Sequence, residues 1–249
     1  MASPVLIRGV VELLQDMRGE GQCVLDVSCK KGEILQTLKS QGFTVQGTNF
    51  TKDAEAVDGI PIDRGIDLLR GLPYATASFD VVLLVEVIEH LENHRVAMGE
   101  VARVLKPGGV LILTTPNVMR LNSRLHFFLT GYHKTKRRFI PFHTPLSEAH
   151  QFHNYPIDLP VLYYLLRQNG LEIEQVGKSR IKAFSWLLFF LFAPLVTVYT
   201  WYFLYLREKD KKQCRENLRL CSWLLHPRLL LEDNLVLRLR KVAGGFSGS

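Results

Sequence analysis

The sequence has few cysteines, and their spacing matches no disulfide framework and no zinc pattern. The 249 residues include only Cys23, Cys29, Cys214 and Cys221. Paired zinc-ligand cysteines and the regular cysteine spacing of small secreted domains are both absent. We therefore expect free thiols, which are typical of a reducing compartment.

A signal peptide, an internal repeat and a nucleic-acid-binding motif are also missing. Residues 1–17 are typical of a short amphipathic helix, because their apolar run is too short and too interrupted by charge for a signal peptide. Neither an aromatic RNP motif nor a zinc finger accompanies the net charge of +7. The sequence therefore predicts a cytoplasmic catalytic domain without a nucleic-acid partner.

The basic residues gather beside an apolar stretch instead. One group lies at residues 134–138, and two others, at 178–182 and 207–219, flank the apolar residues 184–206. Cations next to an apolar segment favour lipid phosphates as the acidic partner.

The rest of the chain alternates apolar runs with helical segments. Strands are predicted at residues 22–27, 43–47, 60–66, 79–85, 110–114, 171–176 and 235–239, and helices at 32–41, 95–105, 118–129 and 158–168. The Lys-Pro-Gly-Gly sequence at 106–109 is a turn signal that ends one helix. This order is typical of βαβ units in an α/β fold with a mostly parallel sheet.

The first strand runs into a turn suited to holding a cofactor. Residues 24–32 read VLDVSCKKG, a buried strand followed by a tight turn and the start of a helix. Backbone N–H groups and a helix N-terminus face the ligand in such a turn. Asp26 can orient the turn and pair with an ammonium group of the ligand.

This block resembles motif I of class I S-adenosylmethionine methyltransferases, usually written VLDxGxGxG. Residues 79–117, FDVVLLVEVIEHLENHRVAMGEVARVLKPGGVLILTTPN, are similar to the later motifs of that family, and residues 155–176 fit its C-terminal pattern. The likeness extends over residues 20–178 and the last strand, and it is greatest to the branch that acts on quinones, lipids and surface glycans. It implies S-adenosylmethionine as cofactor and a Rossmann-like seven-stranded sheet with helices on both faces.

The resemblance also implies which residues contact the cofactor. The methionine end would contact Asp26, Val27, Ser28 and Gly32, and the ribose would contact Asn49. The adenine would contact Phe50, Asp67 and Leu68, and Val85 and Glu86 would close the site after the fourth strand.

Three residues depart from the family pattern. Ser28 and Lys30 replace two glycines of the turn, and Asn49 replaces the usual acid that holds the ribose hydroxyls. Asparagine can still bond a hydroxyl, but without charge assistance. Lys30 either points outward or marks a lost cofactor site, so a cofactor-free scaffold or partner subunit at the membrane is the alternative function.

Histidines mark the acceptor side of the predicted site. His90 is either a general base or a helix-start residue bonded to backbone. The acceptor contacts are predicted at the carboxyl end of the fifth strand and in the following loop: Asn117, His150, His153 and Tyr155. The spacing of the histidines in this loop is not a zinc pattern, so no metal site is predicted.

An apolar insert precedes the last strand. Residues 184–206 carry no charge and are long enough to span a bilayer. Because the strands on either side should pair in one sheet, both ends of the insert must emerge at one membrane face. Either Pro194 breaks the helix into a re-entrant hairpin, or residues 218–231 return along the interface.

The sequence thus predicts a methyltransferase core at residues 1–180 and 234–243, a hydrophobic helical insert at 181–233 and a disordered tail at 244–249. The predicted function is methylation, expected at oxygen, of a membrane-associated lipid, quinone or lipid-linked glycan. Residues 184–231 are expected to contact the membrane lipid surface, and the oligomeric state is left open.

Overall fold

The computed structural model describes residues 3–17, 21–53, 56–135, 140–145, 148 and 151–242. The seven strands are β1 (Cys23–Val27), β2 (Thr44–Asn49), β3 (Ile62–Arg64), β4 (Phe79–Val85), β5 (Leu105–Pro116), β6 (Leu171–Val176) and β7 (Asn234–Lys241). The helices are α1 (Pro4–Glu12), α2 (Glu33–Ser40), α3 (His94–Val104), α4 (Leu121–Thr130), α5 (Leu159–Gln168), α6 (Ala183–Trp201), α7 (Lys211–Leu224) and α8 (Pro227–Leu231). The predicted tail at 244–249 lies outside the described residues.

The strands form one mixed sheet in the order β3-β2-β1-β4-β5-β7-β6. Strand β7 is antiparallel to β5 and β6, and the other paired strands are parallel. Alternate residues of the central strands are buried on opposite faces. Leu25 and Leu84 pack with α3 and α5, whereas Val24 and Leu83 pack with α1 and α2. The predicted seven-stranded Rossmann-like sheet with helices on both faces is therefore confirmed.

Strand β5 differs from the prediction at its start. The helix ends at Val104, one residue before its predicted end, and β5 begins at Leu105 and includes the Lys-Pro-Gly-Gly sequence that is predicted to be a turn. The β4–β5 register shifts between Phe79 and Val81, which accommodates the extra residues. A Cβ atom on Gly109 would lie 3.0 Å from the carbonyl oxygen of Asp80, so glycine lets the two backbones approach at this bulge.

The insert forms one long helix and two shorter returning helices. Strands β6 and β7 pair as predicted, and a bridge between Ile181 and Glu232 holds the two ends of the insert together. Pro194 does not break α6, so the first of the two alternatives, a re-entrant hairpin broken at this proline, is wrong. A proline within a long apolar helix removes one backbone hydrogen bond, which need not interrupt the helix. The chain continues through a π-helical turn, Tyr202–Leu206, and returns through α7 and α8.

A small separate core joins the insert to the catalytic side of the sheet. Leu121 of α4 packs with Leu188 and Ala193 of α6 and with Leu230 of α8. The inner face of α6 is thereby buried, but most of its large apolar side chains are exposed.

Candidate functional site

The site lies where the strand order reverses, between β1 and β4. Ligands of open α/β sheets bind at the carboxyl ends of the strands that flank such a switch point. The segment after β1 turns sharply there, with positive φ at Ser28 (70°), Lys30 (53°) and Gly32 (69°). Only glycine adopts this region without steric cost, so Ser28 and Lys30 hold a glycine-type turn under strain.

Asn49 compensates for that strain by bonding the Lys30 backbone at both ends. The Lys30 N–H donates to Asn49 Oδ1 at 2.8 Å, and Asn49 Nδ2 donates to the Lys30 carbonyl oxygen at 3.2 Å. The Asn49 side chain is buried, with 4% exposed. The predicted ribose-binding amide is therefore already engaged in fixing the turn, a role that the sequence analysis missed.

Asp26 is a buried acid that lacks a full set of partners. Among the described residues, its Oδ1 atom has no hydrogen-bond partner. Burial raises the pKa of Asp26 to about 7, and the nearby Lys30 charge opposes the shift. Because an unpaired buried carboxylate is costly, the geometry favours a ligand that brings a donor or a positive charge.

The neighbouring pocket suits an aromatic ring. An open pocket of about 620 Å³ is lined in part by Phe50, Gly65, Ile66 and Asp67. Phe50 is half-exposed at the end of β2, and Asp67 caps the following turn by accepting from the N–H of Leu69 at 3.0 Å. The side chain of the adjacent Leu68 is buried in the core, so its predicted contact with the adenine edge stays a prediction for its backbone.

The end of β4 closes the other side of the turn. Val85 is buried in the core, whereas Glu86 has a positive φ of 55°. Glu86 Oε1 accepts from Thr114 at 3.2 Å and from Nδ2 of Asn234 at 2.9 Å. The first residue of β7, directly after the insert, thus fixes a predicted cofactor residue.

Two histidines and a buried acid meet beside this turn. His90 Nδ1 lies 3.0 Å from the carbonyl oxygen of Phe152, and the His90 and His153 rings contact edge to face at 4.9 Å. The Tyr155 N–H donates to the Glu89 carbonyl oxygen at 3.1 Å. The structure therefore brings the predicted residues His90, His153 and Tyr155 together.

Glu89 is the residue of this cluster that the sequence analysis missed. It is completely buried, accepts from the Thr115 hydroxyl at 3.1 Å, and has no partner for Oε1 among the described residues. Burial first, and the Glu86 charge second, raise the pKa of Glu89 to about 8. Donor atoms of Glu89, His90 and His153 lie within 4.8 Å of one another, a set of possible metal ligands where the sequence predicted none.

Two predicted acceptor residues are not placed in this cluster. Asn117 is buried, and its Nδ2 donates to the carbonyl oxygens of Leu229 at 2.7 Å and Glu232 at 3.0 Å. Its amide therefore holds the end of the insert, and the predicted acceptor contact is not supported. His150 lies outside the described residues.

The residues present fit S-adenosylmethionine. Asp26 offers an unsatisfied buried oxygen toward an ammonium group, Phe50 offers an exposed ring, and the turn keeps the glycine-type backbone despite its substitutions. Lys30 is exposed, in agreement with the outward orientation considered from the sequence.

Comparison with known proteins gives a consistent result. The model of a family described as "Methyltransferase domain" matches residues 3–176, which leaves the insert outside the match. The chain is 32% identical over 103 residues to the O-methyltransferase resE of Aspergillus sclerotiorum, covering 37% of this chain and 39% of that protein. It is 30% identical over 162 residues to the ubiquinone biosynthesis O-methyltransferase of Rickettsia canadensis, covering 61% and 64%. These matches span less than two thirds of each relative.

Solved structures share the fold at low identity. A SAM-dependent methyltransferase from Archaeoglobus fulgidus superposes with a TM-score of 0.56 at 16% identity, covering 94% of this chain and 92% of that one. The [4+2]-cyclase SpnF superposes with a TM-score of 0.54 at 17% identity, covering 96% and 82%. Because one neighbour is named for a cyclisation, the fold alone does not fix the reaction.

Proposed function

Given that this chain belongs to the family of methyltransferase domains, we propose that it transfers a methyl group from S-adenosylmethionine to an oxygen of a membrane-borne acceptor. The acceptor classes that we propose are a lipid, a quinone or a lipid-linked glycan. One observation carries the proposal: an apolar helix packs directly against the catalytic side of a methyltransferase core. The relatives named as O-methyltransferases, one of them in ubiquinone biosynthesis, support the choice of oxygen and of a lipophilic acceptor.

The cofactor supplies an electrophilic methyl group at its sulfonium centre. In the proposed site, Asp26 would bind the ammonium of the methionine end, and the strained turn would present backbone N–H groups to the same end. Phe50 would pack on the adenine. With Asn49 engaged by Lys30, the ribose would depend more on backbone groups than in relatives that keep an acid at this position.

His90 is the proposed general base for the acceptor hydroxyl. A carbonyl oxygen can only accept, so the bond to Phe152 assigns the proton of the His90 ring to Nδ1 and leaves Nε2 as the basic nitrogen. Tyr155, which is exposed beside it, would contact the acceptor. Dialysis against a chelator distinguishes the two roles of His90. If His90 is a general base, the enzyme keeps its methyltransferase activity after the cation is removed, whereas a metal-dependent enzyme loses it.

The membrane contact rests on α6 and its continuation. The segment Ala183–Leu206 is 24 residues long, and only 6% of its most apolar stretch is buried. Its large exposed residues form a surface much greater than soluble monomers normally tolerate, including Phe190, Leu191, Leu195 and Val198. Because the ends of the insert are bridged, we propose that α6 enters the bilayer from one face without a single clean crossing.

Basic side chains surround both ends of the exposed helix. Arg180, Lys209, Lys211 and Lys212 are exposed and lie just outside α6 and its π-helical turn. Such a distribution supports anionic headgroups as the contact and a cytoplasmic position of the catalytic domain.

The cofactor proposal is tested by titration calorimetry of S-adenosylmethionine into the full chain in detergent. We expect micromolar binding that is lost in Asp26→Asn and kept in Asp80→Asn, an acid paired with Lys106 away from the site. Absence of binding by folded wild-type protein would refute the enzyme and leave the cofactor-free scaffold or partner subunit.

A further inference from the structure

The last turn of α4 carries three consecutive exposed apolar residues. Phe127, Phe128 and Leu129 follow one another and are 47%, 83% and 69% exposed. Consecutive residues of a helix point about 100° apart, so these three side chains cover most of its circumference. An apolar end of this kind projecting into water is unfavourable without a partner.

The same helix connects the catalytic site to the insert. Its first residue, Leu121, lies four positions after Asn117 at the carboxyl end of β5 and packs against Leu188 of α6. Arg120, just before the helix, pairs with Asp233 at the end of the insert. Ten residues of helix extend about 15 Å, so residues 127–129 lie roughly two turns along the helix from Leu121.

Cations follow the apolar end directly. Gly131, with a φ of 77°, ends the helix, and the His133 ring stacks on Phe127 at 4.6 Å. The sequence continues with Lys134, Lys136, Arg137 and Arg138. Apolar side chains beside a cluster of Lys and Arg are typical of segments that enter an anionic membrane surface.

We propose that residues 127–129 form a second membrane-inserting element that enters an anionic bilayer surface next to α6. The catalytic site then lies between two lipid-embedded elements, and the acceptor reaches His90 from the lipid phase rather than from water. The insertion of residues 127–129 is independent of the methylation reaction, whereas the entry route rests on the proposed function.

The test measures the depth of residue 128 in a bilayer. The full chain carrying Phe128→Trp is reconstituted in phosphatidylcholine–phosphatidylglycerol vesicles, with and without lipids brominated on their acyl chains. The matched control is Gln168→Trp, an exposed residue at the end of α5, next to the amino end of β6 and hence at the opposite edge of the sheet. Trp186, Trp201 and Trp223 give the same background in both variants.

We expect brominated lipid to remove at least half of the emission that Phe128→Trp adds and almost none of the emission that Gln168→Trp adds. Quenching of the native background without quenching of the emission added by Phe128→Trp would overturn this proposal and leave the membrane role of α6 standing. If neither the background nor the emission added by Phe128→Trp is quenched, both proposals fail. Equal quenching at 128 and 168 would also overturn it, because the contact would then be unspecific.

Discussion

The substitution Asn49→Asp tests whether Asn49 serves the turn rather than a ligand. Aspartate keeps the oxygen that accepts from the Lys30 N–H, but it has no N–H to donate to the Lys30 carbonyl oxygen. A second carboxylate oxygen would face that carbonyl oxygen at a buried position. Relatives with an acid here would tolerate aspartate, whereas this chain should not.

The expected cost follows from the hydrogen bond that is lost. Removing the donor to the part-buried carbonyl oxygen of Lys30, and placing a carboxylate oxygen against it, costs about 1–3 kcal/mol. For a chain of this size, 2 kcal/mol lowers Tm by about 4–8 °C. Protonation of the new carboxyl group would restore a donor, so its pKa in the folded state should rise. Because the pKa of an unfolded aspartate is about 3.9, the loss of stability should be small near pH 4 and should reach its full size by about pH 7.

The assay is thermal unfolding of the detergent-solubilised chain at pH 4 and pH 8, each compared with the wild type at the same pH. Asn93→Asp is the matched control, because only Oδ1 of Asn93 is used, accepting from the Val96 N–H at the start of α3. Aspartate caps a helix as well as asparagine does, so this variant should unfold like the wild type. Equal stability of Asn49→Asp and the wild type at pH 8 would refute the bracing role.

Three further outcomes are expected. Asp26, with a pKa of about 7, must be ionised to bind an ammonium, so calorimetry should show S-adenosylhomocysteine binding about tenfold more weakly at pH 6 than at pH 8, and Asp26→Asn should bind at neither pH; equal affinity of the wild type at both pH values would contradict the assignment. Folding raises the pKa of Glu89 from about 4.5 to about 8, so the free energy of unfolding should fall as the pH rises through this range. In Glu89→Gln, which cannot ionise, the free energy measured by urea unfolding should fall less with pH. An equal fall in the variant and the wild type would contradict the raised pKa. Gly109→Ala should lower the free energy of unfolding by about 1–3 kcal/mol, because its Cβ would meet backbone oxygens at 2.9 and 3.0 Å; an unchanged urea midpoint would show that the bulge can relax.

The sequence predicts the sheet well because the apolar runs of the core strands are buried on both faces. Strand β5 was misjudged at its start, since a Pro-Gly-Gly sequence can form a bulge as well as a turn, and only pairing with β4 decides between them. The helix break considered at Pro194 does not occur, because the apolar segment continues as helix on both sides of this proline.

The sequence predicts the part of the site that is formed by a local turn. It does not predict contacts between residues that are distant in the sequence. The sequence shows that Ser28 and Lys30 replace glycines of the turn, and the structure adds that both have a positive φ. The bonds from Asn117 to Leu229 and Glu232 join residues more than 100 positions apart, and no local pattern indicates them. The burial of Glu89 likewise depends on a loop some 60 residues later.

The position of β7 between β5 and β6 has a consequence for synthesis of the chain. Strands β5 and β6 both form backbone hydrogen bonds with β7, so neither can complete its pairing until β7, which ends at Lys241, has been synthesised. The apolar helix, which ends by Leu206, is finished earlier; at about 5–20 residues per second, the remaining segment takes about 2–7 seconds. The hydrophobic helix therefore leaves the ribosome before β7 does, at a time when two strand edges are still open. Early capture of this helix by a bilayer would keep the half-built sheet at a surface, away from other nascent chains.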